Sequence, residues 1–179
     1  LDVTNLTSLT NLDFVSNQLT TIDLSNNTSL QYLYAENNQL TEMNIGNINS
    51  LLQIKYNYNQ LHDLDLTLNT SLKMIECTDN DLTSINLSGL VELEELVIFQ
   101  NSLTNLDVSD NINLKYLNLG DNPVGTLDVS SNTYLNDLRC FNNNLLSLDV
   151  SNNTLLTYLE ATNNSIVNID LSNNPLLQS

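Results

Sequence analysis

The chain has 179 residues, of which 14% are charged, against roughly 25% in an ordinary soluble domain. Its 21 acids and four bases give a formal charge of −17, which argues against direct nucleic-acid binding and against an anionic membrane surface, since phosphate contacts require clustered Lys and Arg. No apolar run approaches the ~18 residues of a membrane helix, so no membrane insertion is expected.

In chain order the sequence reads as eight units of 21 residues with no insertion, starting at Leu9, Leu30, Leu51, Leu72, Leu93, Leu114, Leu135 and Leu156. Residues 1–8 match the end of a unit and 177–179 the start of one, so 1–179 is read as a single repeat domain cut from a longer protein. Within each unit positions 1, 4, 6, 11, 14 and 16 are apolar, counting the aromatic Tyr56 at one sixth position. Positions 4 and 6, and again 14 and 16, alternate with polar residues, which predicts two short extended segments per unit and nothing of helical period. Each unit is therefore one coil of a solenoid with two sides and two corners. Gly46, Gly89, Gly120, Gly125, Pro123 and Pro175 fall at or near the corners. A strand spacing of about 4.8 Å makes the rod roughly 38 Å long. A lone coil cannot bury its apolar side, but stacked coils share a continuous core. Position 9 is Asn in all eight units, from Asn17 to Asn164. Its amide is expected to bond the otherwise unpaired backbone of the turn and of the next coil.

These residues carry a resemblance. "LKYLNLGDN" (114–122) and "LNDLRCFNN" (135–143) resemble the L-x-x-L-x-L/C-x-x-N signature of leucine-rich repeats. "LDVSNNTLL" (148–156) is similar to the second half of a 21-residue bacterial subclass called IRREKO repeats, from which "NLSGLVELEEL" (86–96) departs. The resemblance implies a leucine-rich repeat solenoid, predominantly β, with a parallel sheet on one side, short extended segments on the other, and little or no α-helix. It also implies a bacterial protein, secreted or at the cell surface, that acts through binding or adhesion. It names no ligand.

Several residues invite a chemical reading. Cys77 and Cys140 both hold position 6, three coils or about 14 Å apart, too far for a disulfide, and read as small core residues. Position 15 carries Asp2, Asp23, Asp65, Asp107, Asp128, Asp149 and Asp170, interrupted by Asn44 and Asn86. Like charges opposed on a sheet are unfavourable, so the column holds either local hydrogen bonds or cations. The two coils with Asn at position 15 are also the two that lack Asn at position 19, having Ile48 and Leu90 there. That joint change points to one shared corner, with a cation-stabilised solenoid as the alternative. With His62 the only histidine, and no phosphate loop or Cys/His metal spacing, neither enzyme chemistry nor a cofactor or metal is expected.

Comparing the coils with one another separates the two sides. Side two repeats "IDLSNNTS", "LDVSSNTY" and "LDVSNNTL" almost unchanged, whereas side one varies at its outward positions 2, 3, 5, 7 and 8. There lie Tyr32, Tyr34, Tyr58, Phe99, Tyr116, Phe141 and Tyr158, with Met74 and all four bases, Lys55, Lys73, Lys115 and Arg139. Aromatic rings among scattered charge make a composition suited to an interface with a protein or glycan ligand. Each base also has an acid one coil away, Lys55 with Glu76, Lys73 and Lys115 with Glu94, and Arg139 with Glu160, so cross-strand pairing alone is the competing account. A structural spacer or adhesin stalk without its own ligand is the further alternative. The half-coils at both ends leave end-to-end self-association open.

Overall fold

Alternate residues of an extended chain face opposite ways. The computed structural model, which describes residues 1–178, realises this as eight three-residue strands, one per unit at positions 3 to 5. They are β1 (Asn11–Asp13), β2 (Tyr32–Tyr34), β3 (Gln53–Lys55), β4 (Met74–Glu76), β5 (Glu95–Val97), β6 (Tyr116–Asn118), β7 (Asp137–Arg139) and β8 (Tyr158–Glu160). All eight join one parallel sheet in sequence order, offset by one unit, as the pairs Leu33↔Ile54 and Leu117↔Leu138 show. There is no helix among the described residues.

The middle residue of each strand faces inward. Leu33, Ile54, Ile75, Leu96, Leu117 and Leu138 are completely buried, and positions 1, 6, 11 and 16 complete the core around them. Both cysteines are buried as free thiols. Burial, reinforced by the neighbouring Glu160 charge, pushes the Cys140 thiol up to about 12, and burial with the neighbouring Glu76 charge holds Cys77 well above the ordinary range. Neither thiol is a thiolate at neutral pH, which leaves them as core-filling groups.

The position-9 asparagines tie the corner after the sheet. Asn122 Nδ2 donates to the carbonyls of Leu119 (3.0 Å) and Gly120 (3.1 Å) in its own coil and of Ile98 (3.0 Å) in the coil before. Its Oδ1 accepts the Leu103 N–H at 3.0 Å. The amide thus serves its own turn and the preceding coil, rather than the next one. This corner turns through position 8, which has a left-handed φ of 53° to 60° in all eight coils. Pro123 disturbs the pattern: lacking an N–H, it cannot make the bond that Ser102 and Ser165 make to a backbone carbonyl at the same position, and beside it the Val124 N–H does not pair with Asn143 Oδ1, which is buried without a partner.

Side two is built otherwise. Its only β-bridges among the described residues are Asp23↔Asn44 and Asp65↔Asn86. Elsewhere coils are joined by the position-19 asparagines. Asn132 Nδ2 donates to the carbonyls of Val108 and Asn111 in the preceding coil, both at 2.9 Å, and Asn27, Asn69, Asn111, Asn153 and Asn174 do the same one coil back each. The coils carrying Ile48 and Leu90 cannot make this link, and theirs are the two interfaces closed by a bridge. The paired change at positions 15 and 19 therefore swaps one way of joining coils for another.

Candidate functional site

The Asp column is a row of turns. The Oδ1 of Asp23, Asp107, Asp128, Asp149 and Asp170 accepts the N–H of the serine two residues on, at 2.9 to 3.0 Å. Asp65 takes both the N–H (3.0 Å) and the hydroxyl (2.8 Å) of Thr67. These bonds hold the carboxyls below the ordinary carboxylate value. The column thus builds the corner, as the joint change with position 19 foretold. Among the described residues no three His, Cys, Asp or Glu side chains are grouped to hold a metal ion.

On side one the parallel ladder already pairs the backbone, so positions 3 and 5 of each strand are free to vary. Strand pairing brings Tyr32, Gln53, Met74, Glu95, Tyr116, Asp137 and Tyr158 into one row, and Tyr34, Lys55, Glu76, Val97, Asn118, Arg139 and Glu160 into a second. Near the middle of the first row lies a shallow depression of about 220 Å³ walled by Tyr32, Leu52, Gln53, Lys73, Met74, Glu94 and Glu95. Hollows of about 410 and 450 Å³ exist on side two, the first walled by Thr21, Ile22, Asp23, Glu42, Met43 and Asn44, the second by the repeated Thr, Asp and Ser of the turns around Leu127. The smaller depression is distinguished from both by an aromatic ring and a base, Tyr32 and Lys73.

All four bases are held by acids. Lys55 Nζ lies 2.8 Å from Glu76 Oε1, whose other oxygen accepts from Asn57 Nδ2 at 2.9 Å. The Glu76 hydrogen bond raises the Lys55 pKa. Glu94 bridges Lys115 at 2.5 Å and Lys73 at 3.6 Å, and the Lys115 bond lowers its carboxyl pKa. The expected Arg139–Glu160 pair is not formed. Arg139 turns to Asp137 on its own strand, with Nε and Nη2 each 3.0 Å from a carboxylate oxygen. Two features favour this partner. The fork geometry suits a planar guanidinium, and the rings of Tyr116 and Tyr158 on the flanking strands cover it at 5.3 and 4.8 Å from their centroids. Sequence comparison across coils missed Asp137, although its place two residues earlier on the same face was a usable signal.

The lattice is not uniformly open. Tyr58 and Tyr158 are exposed, as are Lys73 and Lys115, while Tyr32, Tyr34, Lys55, Met74, Phe99, Tyr116, Arg139 and Phe141 are half-buried. Thr78, Asn118 and Gly120, at nominally outward positions, are buried. At Gly120 the cause is visible: a Cβ there would run into the Phe141 ring, so the ring lies directly over the glycine. Phe141 is thus engaged within the chain. Tyr58 is its opposite, a bulky side chain with half its surface exposed on left-handed backbone (φ 59°) that its equivalents fill with Ser, Asn, Asp or Gln. Left-handed backbone costs an ordinary residue about 1–2 kcal/mol, which exposed packing does not return.

No protein-family model and no curated protein matches the chain. Among solved structures it is similar to the functional domain of InlJ from Listeria monocytogenes, described as including a cysteine ladder. Identity is 31%, the match covers 99% of this chain and 44% of that one, and the TM-score is 0.83. A leucine-rich repeat protein of Leptospira interrogans is 24% identical, with 98% of this chain and 50% of that one covered and a TM-score of 0.89. Internalin C2 of L. monocytogenes is 22% identical, with 96% and 80% covered and a TM-score of 0.84. The fold is that of leucine-rich repeat proteins, and its neighbours include bacterial ones. The chain spans half or less of the first two neighbours' lengths.

Proposed function

We propose that the chain is a non-enzymatic recognition module of a secreted or surface-displayed bacterial protein, of the 21-residue leucine-rich repeat subclass, binding a protein or glycan ligand on side one. The observation that carries this reading is the depression of about 220 Å³, where Tyr32 and Met74 stand on strands whose backbone pairing does not depend on their side chains, beside the Lys73–Glu94 pair that immediately precedes β4 and β5. An amphipathic ring and a flexible thioether beside paired charges give contact area together with hydrogen-bonding partners. The exposed Tyr58 supports the same face, because side-chain choice at a left-handed position has gone against backbone preference there. Likeness to InlJ and to other bacterial leucine-rich repeat structures supports a binding role without indicating a ligand.

The test is a binding screen against glycan arrays and purified surface proteins, run on the parent and on a Tyr32→Ser, Lys73→Ser, Met74→Ser variant of matched unfolding midpoint. A selective ligand lost from the variant is expected. A ligand retained by the variant would refute the placement, and silence of both proteins would favour the spacer reading.

A further inference from the structure

A second surface differs between the two halves of the rod. It lies on the corner that leads from side two back to side one, at positions 20 and 21. The first three coils place Thr28, Ser29, Asn49, Ser50, Thr70 and Ser71 there. From coil 4 onward every coil carries one apolar residue instead: Val91, Ile112, Tyr134, Leu155 and Leu176. Their spacings of 21, 22, 21 and 21 residues set them in adjacent coils as one stripe. Each is between 43% and 54% exposed, and none belongs to the core or packs against it.

Two polar residues of this corner, Ser50 and Asn113, tie neighbouring coils together. Ser50 donates its hydroxyl to the carbonyl of Thr28 in the preceding coil and to that of Leu30 in its own, and Asn113 Nδ2 donates to Val91 O. Leu155 and Leu176, at the same position 21, have no donor to offer, and Tyr134 makes no such bond. At Tyr134, Leu155 and Leu176 the stripe therefore forgoes the coil-stacking bond of position 21, and no member gains burial in return. Contiguous exposed apolar surface of this kind marks an interaction site.

Charge decides what fits it. All four bases stand on side one, each already bonded to an acid. The same coils present Asp107, Asp128, Asp149 and Asp170 upstream of the stripe with no base near them in sequence, and each keeps one carboxylate oxygen outside its turn bond. A second copy brings another −17 and is repelled, as is an anionic bilayer.

We propose that this stripe docks a basic polypeptide segment of a partner protein, with aliphatic or aromatic anchors on Val91, Ile112, Tyr134 and Leu155 and Lys or Arg directed at the Asp column. The site goes beyond the side-one reading and shares no residue with it.

The experiment uses fluorescence anisotropy with three labelled peptides of equal length: Leu and Trp anchors flanked by Lys and Arg, the same anchors flanked by Glu, and the basic flanks with Ser in place of the anchors. Each is titrated into the parent, into Ile112→Ser, Tyr134→Ser, Leu155→Ser, and into the side-one triple variant. The basic anchored peptide should bind the parent, weaken at least tenfold in the corner variant, stay unchanged in the side-one variant, and weaken with added salt. Leu155→Lys alone, which sets a like charge against the peptide, should also weaken binding and guards against misfolding of the triple variant. Equal binding by parent and corner variant, preference for the Glu-flanked peptide, or no binding at all overturns the proposal. So does a parent dimer in sedimentation, or adsorption to phosphatidylcholine vesicles, that the corner variant lacks, because the stripe then serves a second copy or a lipid surface. Loss in the side-one variant alone would leave the side-one reading standing and remove this one.

Discussion

The two sides of the coil solve the same problem with different groups. On side one, N–H and C=O of neighbouring strands pair with each other, and the side chains at positions 3 and 5 range over Tyr, Gln, Met, Glu, Asp, Lys, Arg and Val. On side two the backbone makes only two bridges among the described residues, and side chains of Asp, Asn, Ser and Thr take over its bonding. Sequence monotony follows, because a side chain that serves the backbone cannot also be varied. Variation is therefore a mark of where the backbone is self-sufficient, which is also where a ligand can be accommodated without unfolding the rod.

The strongest way to break this comparison is at position 9, the one side-chain ladder that no strand pairing replaces. Asn122→Ala removes three donated bonds and one accepted bond and should cost about 3 kcal/mol, read as a lower urea midpoint at unchanged slope. Next comes the interchange of side-two joints. Asn111→Leu should cost about 1–2 kcal/mol by losing its bonds to the Leu87 and Leu90 carbonyls. Adding Asp107→Asn should restore about 0.5–1 kcal/mol, since that pair imitates the coils that close by a bridge. Strict additivity in the cycle would refute the interchange.

A smaller effect of opposite sign is expected inside the core. Tyr56 is fully buried in the position-6 column and its hydroxyl has no partner, so Tyr56→Phe should stabilise the fold by about 1 kcal/mol in the same assay. The smallest effects are pH-linked and should have opposite signs on the two sides. The turn bonds lower the Asp128 pKa, so its contribution is present above the ordinary 3.8 and is lost as pH falls through the folded value. Asp128→Asn keeps the acceptor, and should match the parent at pH 7 while flattening the acid limb of the stability profile. Glu36 on side one is raised, chiefly by burial, and its Oε2 lacks a partner. Its contribution is present below the ordinary 4.5 and disappears as pH rises through the higher folded value, so Glu36→Gln should gain on the parent only toward neutral pH. Melting curves across pH 3 to about 7 would show both slopes, and parallel curves would contradict them.

Periodicity by itself determined the coil, its inward positions and the asparagine column at position 9, because each follows from local alternation repeated at a constant interval, while the direction in which that column reaches was settled by the stacked coils. The joint change at positions 15 and 19 was legible too, though not as a change of joint, since a β-bridge depends on how closely two coils approach. Tertiary structure alone chose Asp137 over Glu160 for Arg139, laid Phe141 across Gly120, and left Tyr56 without a hydrogen-bond partner. Those outcomes turn on rotamers, on rings from neighbouring strands and on the space a missing Cβ leaves. A repeat pattern specifies which column a residue occupies; which neighbour in that column it touches is settled only when the coils stack.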